Sequence, residues 1–66
     1  MTVKEQEAAF QELRKAHPQW DTRFISGYIH GRMDEERRKT PEDIFLKNAN
    51  KLDPYALGYL TGFALY

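Results

Sequence analysis

The side chains that could perform acid–base or metal chemistry in this chain are few. Its 66 residues include two histidines, His17 and His30, and no cysteine. A zinc site needs several ligands at short spacings, and the separation of these histidines matches none of the usual patterns. We therefore predict no metal site, no metal ligand and no cofactor, and we expect a capping, surface or half-buried role for each histidine.

Ser26 precedes His30 by one helical turn, a spacing that would suit a serine nucleophile with a histidine base. Its flanking residues form neither a nucleophile elbow nor a glycine-rich turn between a strand and a helix. We interpret Ser26 as a small packing residue. Gly27 and Gly31 fall inside a predicted helix, whereas a phosphate-binding loop needs glycines ahead of a helix, followed by Lys and Ser or Thr.

Three consecutive carboxylates, Asp34, Glu35 and Glu36, are the remaining candidates for acid–base chemistry. They lie among basic residues, a pattern more typical of mutual pairing and solvation than of catalysis. No catalytic residue is predicted, and the sequence argues against an enzyme.

The charge balance limits the partners. The chain contains ten Lys and Arg residues and ten Asp and Glu residues, so its formal net charge is zero. This balance argues against binding driven by long-range attraction to nucleic acid or an acidic membrane. The lack of cysteine suits a reducing cytosol. Residues 1–7 are polar and acidic, unlike a signal peptide, and the apolar run at 55–66 is shorter than the roughly 20 residues of a spanning helix. We expect a cytoplasmic protein with no membrane partner.

Capping signals and apolar periodicity predict one all-α domain over residues 1–66, a small bundle of three main helices plus one short helix. Thr2 with Glu5 has capping-box spacing, Asp21 or Thr22 can cap the second helix, and Thr40 and Asp53 each precede a proline. The predicted helices cover about residues 3–16, 22–39, 41–48 and 54–66.

The second predicted helix has two different halves. Its first half carries an apolar arc that ends at Met33. After Met33 we expect the helix to project into water, with Asp34 pairing with Arg38 and Glu35 with Lys39. In the short third helix and the turn after it, Ile44, Phe45 and Leu52 are expected to face inward.

Two segments, 24–32 and 55–63, share the pattern Gly-Tyr-aliphatic-x-Gly. A glycine inside a helix costs about 0.8 to 1 kcal/mol relative to alanine, so a compensating contact is expected. Glycines four residues apart lie on one face and allow a neighbouring backbone to approach. The pattern predicts a close helix crossing at Gly27, Gly31, Gly58 and Gly62.

Aromatic residues of the last helix form a stripe beside these glycines. Two interpretations stay open for the stripe and for Tyr28. The stripe can complete the core of one chain, or it can contact a second copy in a homodimer. A homodimer would add to the small surface area that so short a chain buries by itself. The stripe consists of Tyr55, Tyr59, Phe63 and Tyr66.

The charged end of the second helix is a candidate surface for a protein partner. The leading hypothesis is a protein-interaction module, and a steric inhibitor of one host enzyme is not distinguished from it. The alternative is a small DNA-associated regulator that uses the basic residues between Arg32 and Lys39. Nucleic-acid binding is disfavoured because the helix after Pro54 lacks the Arg, Lys, Asn or Gln side chains that read base edges. The candidate surface comprises Arg32, Glu35, Glu36, Arg37, Arg38 and Lys39.

With its charged first helix, Trp20, and the segments 27–31 and 58–62, the chain resembles the small helical accessory proteins of lambdoid phages and prophages. These are encoded in early regions, by short open reading frames between the recombination and excision genes. The resemblance implies a non-enzymatic regulator in the bacterial cytoplasm that contacts host or phage proteins and affects lytic or lysogenic development. No site residue carries over from it.

Overall fold

Every regular element that the structure describes is helical. The computed structural model covers residues 2–65, apart from the side chain of Asn50. Helix α1 spans Val3–Ala16, α2 Thr22–Glu36, α3 Asp43–Asn48 and α4 Pro54–Gly62, with a 3-10 helix at Ala49–Lys51. The all-α prediction is confirmed. Across the described residues, every helix is too short or too polar to traverse a bilayer.

Three helices begin where the sequence predicts, because side chains satisfy the free amides of their first turns. The Thr2 hydroxyl accepts from the Glu5 amide and the Glu5 carboxylate accepts from the Thr2 amide, both at 3.2 Å. Asp21 and Asp53 accept from the amide two residues ahead, at 2.8 and 3.0 Å. The starts of α1, α2 and α4 are therefore encoded locally.

Two helices end earlier than predicted. Helix α2 stops at Glu36 rather than residue 39, and α4 at Gly62 rather than residue 66. Arg38 and Ala64 take left-handed backbone conformations, with φ of 56° and 72°. After each of them, the next amide donates to the carbonyl oxygen five positions earlier, at 3.0 and 2.9 Å. These are Schellman motifs, whose left-handed position is usually glycine, so the sequence offered no signal for either end.

The start predicted for the third helix is also wrong. Helix α3 begins at Asp43 rather than Pro41, and its N-cap is Glu42, whose side chain makes no capping bond. The Glu42 amide donates instead to the Tyr59 hydroxyl at 3.2 Å. That long-range bond holds residue 42 outside the helix.

The core lies where α2 and α4 cross. Its largest fully buried side chains are Ile25, Tyr59 and Leu60. Phe45 packs against it from α3, as predicted. The expectation that Ile44 and Leu52 face inward is wrong, since they are 61% and 77% exposed.

Helices α1 and α3 pack on the outside of this crossing, and neither contains a buried residue. Trp20 fills the turn between α1 and α2. Its ring stacks on His17 with centroids 3.8 Å apart and also lies against Phe24 and Tyr28. The half-buried Trp20 therefore anchors this corner of the fold.

Candidate functional site

The four helical glycines lie where the backbones of α2 and α4 come closest. A β-carbon added to Gly27 would overlap the carbonyl oxygen of Tyr55 and would lie 3.0 Å from the amide nitrogen of Tyr59. Both obstacles are backbone atoms, which cannot rotate away. Glycine Cα–H groups facing carbonyl oxygens in this way form the weak hydrogen bonds that recur at close helix interfaces.

The contacts at the crossing are reciprocal: each helix uses the residues that correspond to those of the other after a shift of 31 positions. A β-carbon on Gly58 would overlap the Phe24 carbonyl oxygen and approach the Tyr28 amide nitrogen to 3.0 Å. Phe24 and Tyr28 are the counterparts of Tyr55 and Tyr59, 31 positions earlier. The two helices therefore use equivalent surfaces, related by an internal pseudo-two-fold axis.

The second glycine of each segment defines the direction of the pair. Gly31 faces Tyr59 and Phe63, and Gly62 faces Tyr28 and Arg32. A step of four residues along α2, from Gly27 to Gly31, therefore moves the facing residues four positions forward along α4. The two helices are parallel. Residues 37–53 must carry the chain back to the start of α4, and this return brings α3 against the crossing.

The aromatic stripe of α4 is largely used inside the chain. Tyr59 is fully buried, and its ring stacks on Phe45 with centroids 4.3 Å apart. Tyr55 and Phe63 are half-buried, and Tyr66 lies outside the described residues. Tyr59 has no surface left for a second copy, contrary to one of the two interpretations of the stripe.

Five polar side chains meet beside the crossing, around the buried carboxylate of Asp34, which is 3% exposed. The Tyr59 hydroxyl donates to Asp34 Oδ2 at 2.7 Å. His30 Nε2 lies 3.5 Å from the same oxygen and 3.7 Å from Glu42 Oε2. On the other edge of the imidazole, His30 Nδ1 lies 3.1 Å from the Tyr55 hydroxyl. We call these five residues the polar cluster.

Three parts of the chain position the polar cluster. Helix α2 presents His30 and Asp34 one turn apart, α4 presents Tyr55 and Tyr59 one turn apart, and the return segment supplies Glu42. The His30 ring meets the ring of Tyr59 edge to face at 4.9 Å between centroids, and the rings of Phe45 and Tyr55 at 5.5 and 6.1 Å. Packing on several sides therefore fixes the orientation of the imidazole.

The two phenols of the cluster are neutral. Burial raises the pKa of Tyr59 to about 12, aided by the hydrogen bond to Asp34 and opposed by the Glu42 amide. Burial also raises the pKa of Tyr55, and the nearby charges of Glu42 and Asp34 act in the same direction. Each hydroxyl therefore keeps its proton at neutral pH and can orient its neighbour.

The candidate partner surface at the end of α2 is exposed, but the neighbouring Asp34 is not. The expectation that Asp34 projects into water and pairs with Arg38 is wrong: Asp34 is buried, and in residues 2–65 the side-chain nitrogen within 4.0 Å of its carboxylate belongs to His30 rather than to Arg38. The reason is tertiary, because Tyr59 and the return segment cover this turn of the helix. The exposed residues are Arg32, Glu35, Glu36, Arg37, Arg38 and Lys39.

The polar cluster was not predicted from the sequence, because neither the spacing of the two histidines nor the charged run at 34–36 indicates a site. The i,i+4 pair His30 and Asp34 was a visible signal, since such a pair shares one helix face. Glu42 and Tyr59 come close only through the fold. As a result, ligand atoms of His30, Asp34 and Glu42 lie within 4.8 Å of one another, an arrangement able to hold a metal ion.

The chain matches no protein family model, and no similar protein was found among curated sequences or among solved structures. Any assignment of function therefore rests on the geometry of the chain itself.

Proposed function

We propose that this chain is a small non-enzymatic regulatory protein that acts by binding proteins, and that one of its partners is a second copy of itself. The proposal rests on exposed aliphatic side chains between α2 and α4. Ile44, Leu46 and Leu52 are 61%, 43% and 77% exposed within nine residues of chain. The resemblance to phage accessory proteins supports a regulator in the bacterial cytoplasm.

Leu52 is the observation that carries the proposal. Its backbone is left-handed, with φ of 58°, a conformation that costs a residue with a β-carbon roughly 1 to 2 kcal/mol. Its side chain is 77% exposed, so little burial within the chain offsets that strain. Covering a leucine contributes about 1.5 to 3 kcal/mol, and a partner protein would supply that contribution.

The charges of α3 favour a second copy as the occupant. The helix carries acidic Asp43 in its first turn and basic Lys47 in its last turn, and both residues are exposed. Two α3 helices that pair in opposite directions across a two-fold axis would place each Asp43 opposite Lys47 of the other copy. Such self-complementarity is the requirement for an isologous dimer.

Sedimentation equilibrium from micromolar to millimolar concentration tests this dimer. We expect reversible self-association, weakened at least about tenfold by Leu52→Asn, which loses about 1.4 kcal/mol or more of contact. Asparagine tolerates left-handed backbone, so the thermal midpoint should be unchanged or higher. Val3→Asn, at a site 71% exposed in α1, is the matched control and should associate normally. A wild-type chain that stays monomeric throughout, or equal association by Leu52→Asn, would contradict the dimer.

The charged surface at the end of α2 is proposed to contact a further protein. Replacing Arg37, Arg38 and Lys39 together by glutamate should abolish capture of that partner from bacterial lysate. Unchanged capture would remove this surface from the proposal. Binding of duplex DNA that weakens steeply with salt would instead favour the DNA-associated alternative.

A further inference from the structure

We propose that His30, Asp34 and Glu42 bind a zinc-type divalent cation through Nε2, Oδ2 and Oε2. The three atoms come from two separate parts of the chain, α2 and the residue that precedes α3. They converge on one point beside the core, all within 4.8 Å of one another.

The separations match a shared ion better than direct hydrogen bonds. His30 Nε2 lies 3.5 Å from Asp34 Oδ2 and 3.7 Å from Glu42 Oε2, longer than the roughly 2.7 to 3.2 Å of an N–H···O bond. Tetrahedral zinc holds nitrogen and oxygen ligands at about 2.0 to 2.2 Å, which places them about 3.3 to 3.6 Å apart. The carboxylate oxygens of Asp34 and Glu42 lie within 4.8 Å of each other, and rotation of the exposed Glu42 side chain would bring its oxygen to the metal.

The local charge also calls for a cation. Asp34 is almost fully buried, and Glu42 brings a second carboxylate to the same point. Among the described residues no lysine or arginine lies within 4.0 Å of either carboxylate. A buried carboxylate is expensive unless it is paired or coordinates a metal. A divalent ion would balance both charges while His30 remains neutral.

The neighbouring phenols form the supporting shell that a metal site needs. With Nε2 on the metal, Nδ1–H of His30 can donate to the Tyr55 hydroxyl, now 3.1 Å away. The Tyr59 hydroxyl already orients the Asp34 carboxylate. Such outer contacts fix the tautomer of a ligating histidine and the direction of a ligating carboxylate.

The two carboxylate ligands differ in exposure, which provides a route for the ion. The Asp34 side chain is 5% exposed, whereas those of His30 and Glu42 are 33% and 49% exposed. The ion would enter from the side of Glu42. Water would complete the tetrahedron there, as in zinc sites with three protein ligands.

Calorimetric titration of the full chain, stripped with a chelator, with zinc chloride tests the site. We expect one zinc per chain, and cobalt(II) at the same site should show visible bands of tetrahedral coordination. Loss of a supporting contact alone lowers affinity about 10- to 100-fold, so Glu42→Gln should weaken zinc by more than about 100-fold. This variant should fold, because the structural contact of Glu42 is made by its backbone amide.

Two control variants separate this site from nonspecific binding. Glu35→Gln removes an exposed carboxylate from the same helix, and His17→Gln removes the other imidazole. Both should bind zinc like the wild type. Nitrogen NMR of the imidazoles should place zinc on Nε2 of His30. No binding at millimolar zinc, equal loss in Glu35→Gln, or loss in His17→Gln would overturn the site.

Discussion

The α2–α4 pair and the outer helices α1 and α3 obtain their contacts in opposite ways. At the crossing, four glycines lack side chains, which allows the backbones of α2 and α4 to come into contact. Helix α1 has a complete capping box but no buried residue, and α3 likewise buries none of its own residues. The difference shows that this short chain concentrates its stability in one interface and leaves its other helices as exposed surface.

The largest effect should come from adding a single methyl group at the crossing. Gly58→Ala gains about 1 kcal/mol of helix propensity, but the methyl overlaps the Phe24 carbonyl oxygen. Overpacking typically costs about 1 to 3 kcal/mol, and more where the obstacle is backbone, so we expect a net loss of about 3 kcal/mol of unfolding free energy. Urea denaturation followed by circular dichroism measures it.

Ser26→Ala is the matched control, since it adds alanine to an exposed position of α2. It should change stability by no more than about 0.5 kcal/mol. A Gly58→Ala protein as stable as this control would show that the helices can move apart without loss.

An intermediate effect should follow alkaline titration of Tyr59. Its pKa is about 12 in the folded chain and about 10 when unfolded. Because the folded pKa is raised, the stabilisation is complete below pH 10 and is lost as the pH rises toward 12. At about 1.4 kcal/mol per pKa unit, the loss reaches roughly 2 to 3 kcal/mol. The groups facing the phenol are His30, Asp34 and Glu42.

Denaturation at several alkaline pH values, compared between wild type and Tyr59→Phe, isolates this contribution. The variant should be less stable at neutral pH, because the Asp34 carboxylate loses its donor, a change of about 1 to 3 kcal/mol. Its stability should then fall less steeply above pH 10. Parallel curves for the two proteins would exclude Tyr59 as the titrating group.

The smallest effect should come from the outer region. Thr2→Ala removes the hydroxyl that accepts from the Glu5 amide, a loss of about 0.5 to 2 kcal/mol, and leaves the backbone amide of residue 2 able to donate to the Glu5 carboxylate. Because α2 is the helix against which α1 packs among the described elements, the loss should be local. Amide hydrogen exchange should accelerate in α1 and stay unchanged at the crossing. Equal acceleration in α4 would mean that the two regions unfold together.

The contrast between the two regions also explains what the sequence could predict. Helix starts were predictable because caps such as Asp21 and Asp53 act on amides two residues away. The ends of α2 and α4 were not, because Arg38 and Ala64 occupy positions where glycine is the usual signal. The 31-residue repeat identified the glycines of the crossing, since spacing alone places them on one helix face.

The polar cluster was only half predictable. His30 and Asp34 share a helix face by their spacing, but their meeting with Glu42 depends on the return segment and on the hydrogen bond between the Glu42 amide and Tyr59. Burial of Asp34 follows from the same tertiary contacts. A local pattern rich in charge therefore concealed a buried carboxylate.

The parallel direction of α2 and α4 has a consequence for how the chain folds. Counterpart residues at the crossing, such as Gly27 and Gly58, are 31 positions apart, so the main interface forms only after a long loop has closed. Small helical proteins usually fold fast because their contacts are local. Here α1 can dock early on α2, while the decisive encounter waits for residues 37–53 to turn back. We therefore expect this chain to fold more slowly than a helical protein of the same length whose contacts are mostly local.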